Sequence, residues 1–202
     1  MLMANTKKFQ RDEVVKAASD LFWKKGFHAT STRDLQDSVN LRPGSIYATF
    51  GSKEGLYCEA LKMYVANLQA LFELHLAQNT TVLDAIEAFA IDVVINQRDS
   101  NPSEVCMLVK SASEFAEDFN ALRNQTNSLA NQFESFLAKL FERAIENGEI
   151  EAQDTLLLAQ LFQVQFTGIR AYSYRSDDET LKTLISIMVN SFRGNVPKQN
   201  AE

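Results

Sequence analysis

Between residues 31 and 50 the chain carries two short helical segments back to back, and this arrangement limits what it can fold into more than any other feature. The first is expected over residues 32–39. Ser31 is placed to cap it, and Asp34, three residues on, makes a capping-box variant with aspartate in place of Glu or Gln. Asn40 ends it, since asparagine is one of the few non-glycine residues that tolerate a left-handed backbone. Pro43 fits the first position of the second segment, which runs to residue 50. Ahead of both lies an amphipathic helix expected over residues 11–25, where Val14, Ala17, Ala18, Leu21 and Phe22 recur at three- and four-residue steps. Lys24 and Lys25 suit the negative end of its dipole, and Gly26 closes it. Leu35, Val39, Leu41, Ile46 and Phe50 can then close a small three-helix core with it.

The rest of the chain reads as helices divided by polar breaks. Ser52 caps a long helix expected over 53–77, followed by helices over 81–96, 103–115, 118–147, 154–172 and 177–192. The expected fold is all-α with about nine helices. Its divisions are a head at 1–55, a larger domain at 56–194 and a flexible polar tail at 195–202. Three prolines and seven glycines are few, and alternating strand patterns are missing. No apolar run approaches the ~20 residues of a membrane span, and residues 1–10 carry no apolar region of a secretory signal. Two cysteines, Cys58 and Cys106, give no pattern of a disulfide framework, so the expected address is the cytoplasm.

The formal net charge is −6, but it is unevenly placed. Residues 1–55 hold nine Lys/Arg against six Asp/Glu, whereas residues 56–202 hold eleven against twenty. A mildly basic head on an acidic body suits a protein that offers only its head to phosphate. Two short helices with a turn at Asn40 and Leu41 follow helix-turn-helix spacing, which holds the second one proud of the body. With Ile46 and Phe50 facing inward, Arg42, Pro43, Gly44, Ser45, Tyr47, Ala48 and Thr49 face outward. Most of these side chains are small, so the backbone can approach bases closely.

The run Ala17-Ala18, Leu21-Phe22, Gly26-Phe27, Thr30 to Leu35, Gly44-Ser45-Ile46-Tyr47, Phe50 to Glu54 and Leu56 resembles the DNA-binding domain of TetR-type (tetracycline-repressor-like) regulators. The likeness spans residues 11–64, with a weaker stretch at Val105 to Val109, Ala112 and Glu114 similar to the sixth helix of some members. It implies that Tyr47 and Lys53 contact phosphates, and that Ser31, Thr32 and Arg33 add a clamp through amides at the start of their helix. Arg42, Pro43, Gly44, Ala48 and Thr49 are the implied base readers, with Arg42 best suited to a guanine edge. The chain departs from the family pattern at Gln36, Asn40 and Arg42, where alanine, glycine and a small capping residue are usual.

Elsewhere the reading is of binding, not catalysis. Phe72, Phe89, Met107, Phe115, Phe133, Phe136, Phe162 and Phe166 are candidates to line an apolar effector site, with Phe119 on the same inner faces. Arg170, Gln163, Gln165 or Tyr172 would supply polar contacts. Each phenylalanine taken alone is more often plain core. Cys58, beside Glu59, and Cys106, in an apolar run, read as inert thiols. His28 and His75 lack partners at ligand spacing, so no metal is expected, and no cofactor motif or nucleophile–base pair suggests an enzyme. The last two helices each carry a second apolar stripe, which asks for a symmetry mate. The expectation is a dimeric DNA-binding regulator, by default a repressor released from a pseudo-palindromic operator by an apolar or aromatic effector. The alternative is a helical interaction protein that keeps the fold without binding DNA.

Overall fold

The computed structural model describes residues 2–39, 43–115 and 120–193, without the side chains of residues 2–10, Pro43, Ser45 and Tyr47. Among the described residues there are nine α-helices and no strand. They are α1 (Leu2–Lys25), α2 (Thr32–Val39), α3 (Pro43–Phe50), α4 (Lys53–Gln78), α5 (Val82–Ile91), α6 (Met107–Glu114), α7 (Asn120–Glu146), α8 (Thr155–Tyr172) and α9 (Asp178–Ser191). A π-helical turn, Asp92–Asn96, continues α5, and a 3₁₀ turn, Ser173–Arg175, follows α8. The all-α expectation holds, as does the placing of both short helices. Asn40, Leu41, Arg42, Phe119 and the expected tail lie outside the described residues.

The chain forms two compact units, Met1–Asn67 with Cys106–Ala130, and Leu68–Val105 with Asn131–Glu202. In the first, Val15, Ala18, Phe22, Phe27, Leu35, Ile46, Leu56, Tyr57 and Leu61 are buried together with Met107 and Phe115 of the later segment. Four rings make its centre. Tyr57 meets Phe22 edge-on at 4.8 Å, Phe27 at 5.1 Å and Phe115 at 5.5 Å. Such offset and edge contacts suit the ring quadrupole, and each fully buried phenylalanine contributes about 1.5–3 kcal/mol. The Tyr57 hydroxyl, hydrogen-bonded to Ser111 Oγ at 2.6 Å, stays satisfied inside this core.

The second unit is built on a longer aromatic cluster. Phe72 and Phe89 stack with centroids 3.6 Å apart, and Phe136 and Phe162 each approach Phe72 at 5.9 Å. Gly148 ends α7 with φ of +73°, a conformation that glycine adopts without strain. The Glu149 amide returns to Ala144 O and the Gly148 amide to Ile145 O, a Schellman closure. The Glu149 carboxylate then accepts from the first free amides of α5, at Val82 (2.9 Å) and Leu83 (3.0 Å). One turn thus closes one helix and caps another.

Three helix limits differ from those expected. The first helix begins at Leu2, not residue 11, because the apolar periodicity used to start it marks where burial begins and not where the backbone turns helical. The helix expected over 81–96 changes to π-helical at Asp92, with the Gln97 amide bonded to Asp92 O five residues back. The helix expected from residue 103 starts at Met107. Tertiary bonds hold the preceding segment open: Ser103 O accepts from Arg170 at 3.0 Å, and Arg98 reaches Ser173 O, Ser176 O and the Asp178 carboxylate.

Candidate nucleic-acid interface

The start of α2 is fixed by a reciprocal cap. Ser31 Oγ accepts from the Asp34 amide at 3.1 Å while Asp34 accepts from the Ser31 amide at 2.8 Å and its hydroxyl at 2.7 Å. Aspartate therefore does the work usually given to glutamate. Lys25, at the end of α1, binds the same carboxylate at 2.6 Å. Lys25 first, and then Ser31, hold Asp34 well below the usual carboxylate range. The pair also partly offsets a negative charge that would otherwise repel a phosphate from this helix end. Ser31 and Arg33 are exposed and Thr32 is half-buried.

In α3, Ile46 points into the core at 2% exposure, and Phe50 is half-buried. Gly44, Ala48 and Thr49 are exposed, and Gly44 and Ala48 lie on the side of α3 away from Ile46. Arg42 lies outside the described residues, as do the side chains of Pro43, Ser45 and Tyr47. The Ser52 hydroxyl accepts from the Gly55 amide at 3.2 Å and starts α4. Lys53 stands in the first turn, its ammonium 4.3 Å from the centroid of the Phe27 ring. Burial lowers its pKa, while Glu54, Glu114 and Asp34 act the other way.

Behind this surface, α6 grips the end of α1 with two side chains one turn apart. The Lys110 ammonium donates to Trp23 O at 3.0 Å and Lys24 O at 2.9 Å, two carbonyls left free by the helix end. Glu114 accepts from the Phe27 amide at 2.6 Å and the His28 amide at 3.4 Å. Gly26, at φ +86°, makes the approach possible, since a Cβ there would stand 1.9 Å from Glu114 Oε1. Sequence reasoning assigned no role to Lys110. The signal available was an oppositely charged i, i+4 pair on a short apolar helix, which gives no hint of a partner 87 residues away.

The candidate effector residues divide between the units. Phe72, Phe89, Phe133, Phe136, Phe162 and Phe166 are joined by ring contacts in the second unit. Arg170 is buried one turn beyond Phe166 and donates to Ser103 O. Phe115 instead belongs to the ring cluster of the first unit, and Met107, also there, receives the Ser19 hydroxyl at sulfur. Gln163 donates to Glu134, Ser191 donates to Gln165, and Tyr172 lies under Arg175. A polar group that sequence reasoning passed over borders the cluster. The His75 ring is edge-on to Phe89 and bonds Asp92 at 3.2 Å, and Gln97 also donates to Asp92. Cys58 and Cys106 are free thiols, with Cys58 pushed up by burial and Cys106 receiving the Tyr64 hydroxyl.

Two short helices in succession, the first capped by Ser31 and the second exposing Gly44, Ala48 and Thr49, define a helix-turn-helix head. Residues 14–60 match the family model of bacterial regulatory proteins, tetR family. The uncharacterized HTH-type transcriptional regulator YezE of Bacillus subtilis is 27% identical over 153 residues, covering 76% of this chain and 79% of its own. The HTH-type transcriptional repressor ComR of Escherichia coli is 26% identical over 165 residues, covering 81% of this chain and 79% of its own. Among solved structures, a cysteine mutant of the TetR family transcriptional regulator CifR, complexed with 26-bp operator DNA, superposes with a TM-score of 0.78. Its identity is 24%, over 90% of this chain and 96% of that one. Residues 14–60 thus carry the DNA-binding head of the TetR family, and the chain as a whole is similar to transcriptional regulators of that family.

Proposed function

We propose that this regulator is a repressor that binds a pseudo-palindromic operator as a homodimer and leaves it when a small apolar or aromatic effector occupies the second unit. The observation that carries the reading is the exposure of Gly44, Ala48 and Thr49 on α3, with Ile46 buried and Lys53 in the first turn of the next helix. Arg42, Pro43, Gly44, Ala48 and Thr49 read bases, with Ser45 beside them on the outward side. Tyr47, Lys53 and the helix start at Ser31, Thr32 and Arg33 hold phosphates. Lys53 would leave the Phe27 ring for a phosphate. Steric occlusion of a promoter requires nothing further of the protein, and relatives such as ComR bear the name of repressor. The work is binding, without a catalytic step, and is done in the cytoplasm, where the DNA is.

Dimerisation is supported by apolar side chains left open on the last two helices. Leu156 is 47% exposed, Val164 72% and Ile187 60%. Leu158, Phe162 and Phe166, on the other side of α8, are buried, so one stripe serves the core and the second is left for a partner. For the effector, the six linked phenylalanines offer an apolar surface and Arg170 a buried cation, while Met107 and Phe115 serve the head's own core. Binding releases DNA only if the effector favours the state whose heads miss the two half-sites.

Binding isotherms on operator and unrelated duplexes test the docking. Lys53→Ala is expected to weaken binding to every sequence and lower the log–log salt slope by about 1. Arg42→Ala is expected to relax preference at one base pair by about 1–3 kcal/mol. Operator binding untouched by both substitutions would overturn the reading.

A further inference from the structure

The basic excess of the head is confined to its first eleven residues. Lys7, Lys8 and Arg11 stand there without an acidic residue, whereas residues 12–55 hold six basic and six acidic side chains. Several of the later cations are engaged locally: Lys16 with Asp20, Lys25 with Asp34 and Lys53 on Phe27. The family-model match begins at residue 14, after the charged segment.

The backbone makes this segment part of the head. Helix α1 continues unbroken from Leu2 through the amphipathic stretch. At 1.5 Å per residue, residues 2–10 extend it by about 14 Å beyond Arg11. Arg11 stands at the base of that extension: its guanidinium lies 5.2 Å from the ring centroid of Phe50, the last residue of α3, and it pairs with Glu59 of α4. Lys7 precedes Arg11 by four residues, one helical turn. A rod bearing two lysines therefore starts beside the end of the helix that presents the bases' readers.

Resting on the DNA-binding reading above, we propose that the first turns of α1 are a second phosphate-binding element, in which Lys7 and Lys8 engage the DNA backbone flanking the sequence read by α3. This element supplies affinity without selectivity, because phosphates carry no sequence. The body, with eleven basic against twenty acidic residues after position 55, cannot supply it.

The test is a salt titration of binding by the full chain, between about 50 and 200 mM, on the operator and on an unrelated duplex of equal length. The double variant Lys7→Ala/Lys8→Ala is expected to reduce the log–log slope by about 1–2 per head and to weaken binding to both duplexes by the same factor. The ratio of the two affinities stays at the wild-type value. A Lys7→Arg/Lys8→Arg variant is expected to keep the wild-type slope, which separates charge from any loss of helix. An unchanged slope in the alanine variant, or a loss confined to the operator, overturns the proposal. Wild-type protein that binds neither duplex at any salt instead overturns the DNA-binding reading beneath it.

Discussion

Glu114 shows how much of the head rests on one side chain. Its carboxylate satisfies the amides of Phe27 and His28, which follow the end of α1, and it fits only because position 26 has no Cβ. Glu114→Ala leaves those donors without their acceptor and is expected to cost about 1–3 kcal/mol in urea unfolding, with Glu114→Gln recovering part of it. Gly26→Ala is expected to lower the melting temperature as well, through both the close approach and the positive φ. A melting curve identical to wild type would show that the turn relaxes freely. Asp34 adds a pH dependence whose sign follows from its lowered pKa. A group more acidic when folded than when unfolded stabilises above its unfolded pKa, about 4, and that contribution is lost as pH falls below it. Asp34→Asn is therefore expected to flatten acid unfolding below about pH 4, as followed by circular dichroism. The Ser31–Asp34 cap was legible because its partners are three residues apart. The grip of Lys110 and Glu114 was not, because hydrogen bonds across some 87 residues leave no local periodicity.

At the scale of elements, capped and punctuated helices were readable and interrupted ones were not. Ser31, Pro43, Ser52 and Gly148 mark helix ends by chemistry that acts within a few residues, and the structure places ends there. The start of α6 depends instead on Arg170 and Arg98 holding distant carbonyls, and the π turn at Asp92 on a one-residue change of hydrogen-bond register. The stripes of α8 were also legible. Leu158, Phe162 and Phe166 face inward, while Val164 is open. That pattern carries a prediction: Val164→Lys and Ile187→Lys together are expected to shift the protein from dimer to monomer in sedimentation velocity, with helicity unchanged. A dimer that survives the double substitution would place the interface elsewhere.

Over the whole molecule, charge divided the sequence into a head at 1–55 and a body beyond it, whereas the two compact units of the chain join residues 106–130 to residues 1–67. The effector residues were harder to assign, because a phenylalanine stripe looks the same whether it lines a site or fills a core. Only the ring contacts divide them, giving Phe115 to the head's core and the Phe72–Phe89 stack to the other unit. Phe89→Ala is expected to change effector response at unchanged operator affinity without effector, measured by release of labelled DNA. A loss of DNA binding in the effector-free variant would mean that Phe89 holds the fold and not the ligand.

The central claim is that paired copies of α3 enter successive major grooves. Hydroxyl-radical footprinting of the protein on the DNA upstream of its own gene tests it most directly. The account predicts two protected patches on one face of the duplex, with centres about 34–36 Å apart or a multiple of that turn, both needing more protein to appear when Lys53 is replaced by alanine. One continuous patch of no fixed position, or no protection at concentrations that saturate binding, would contradict it.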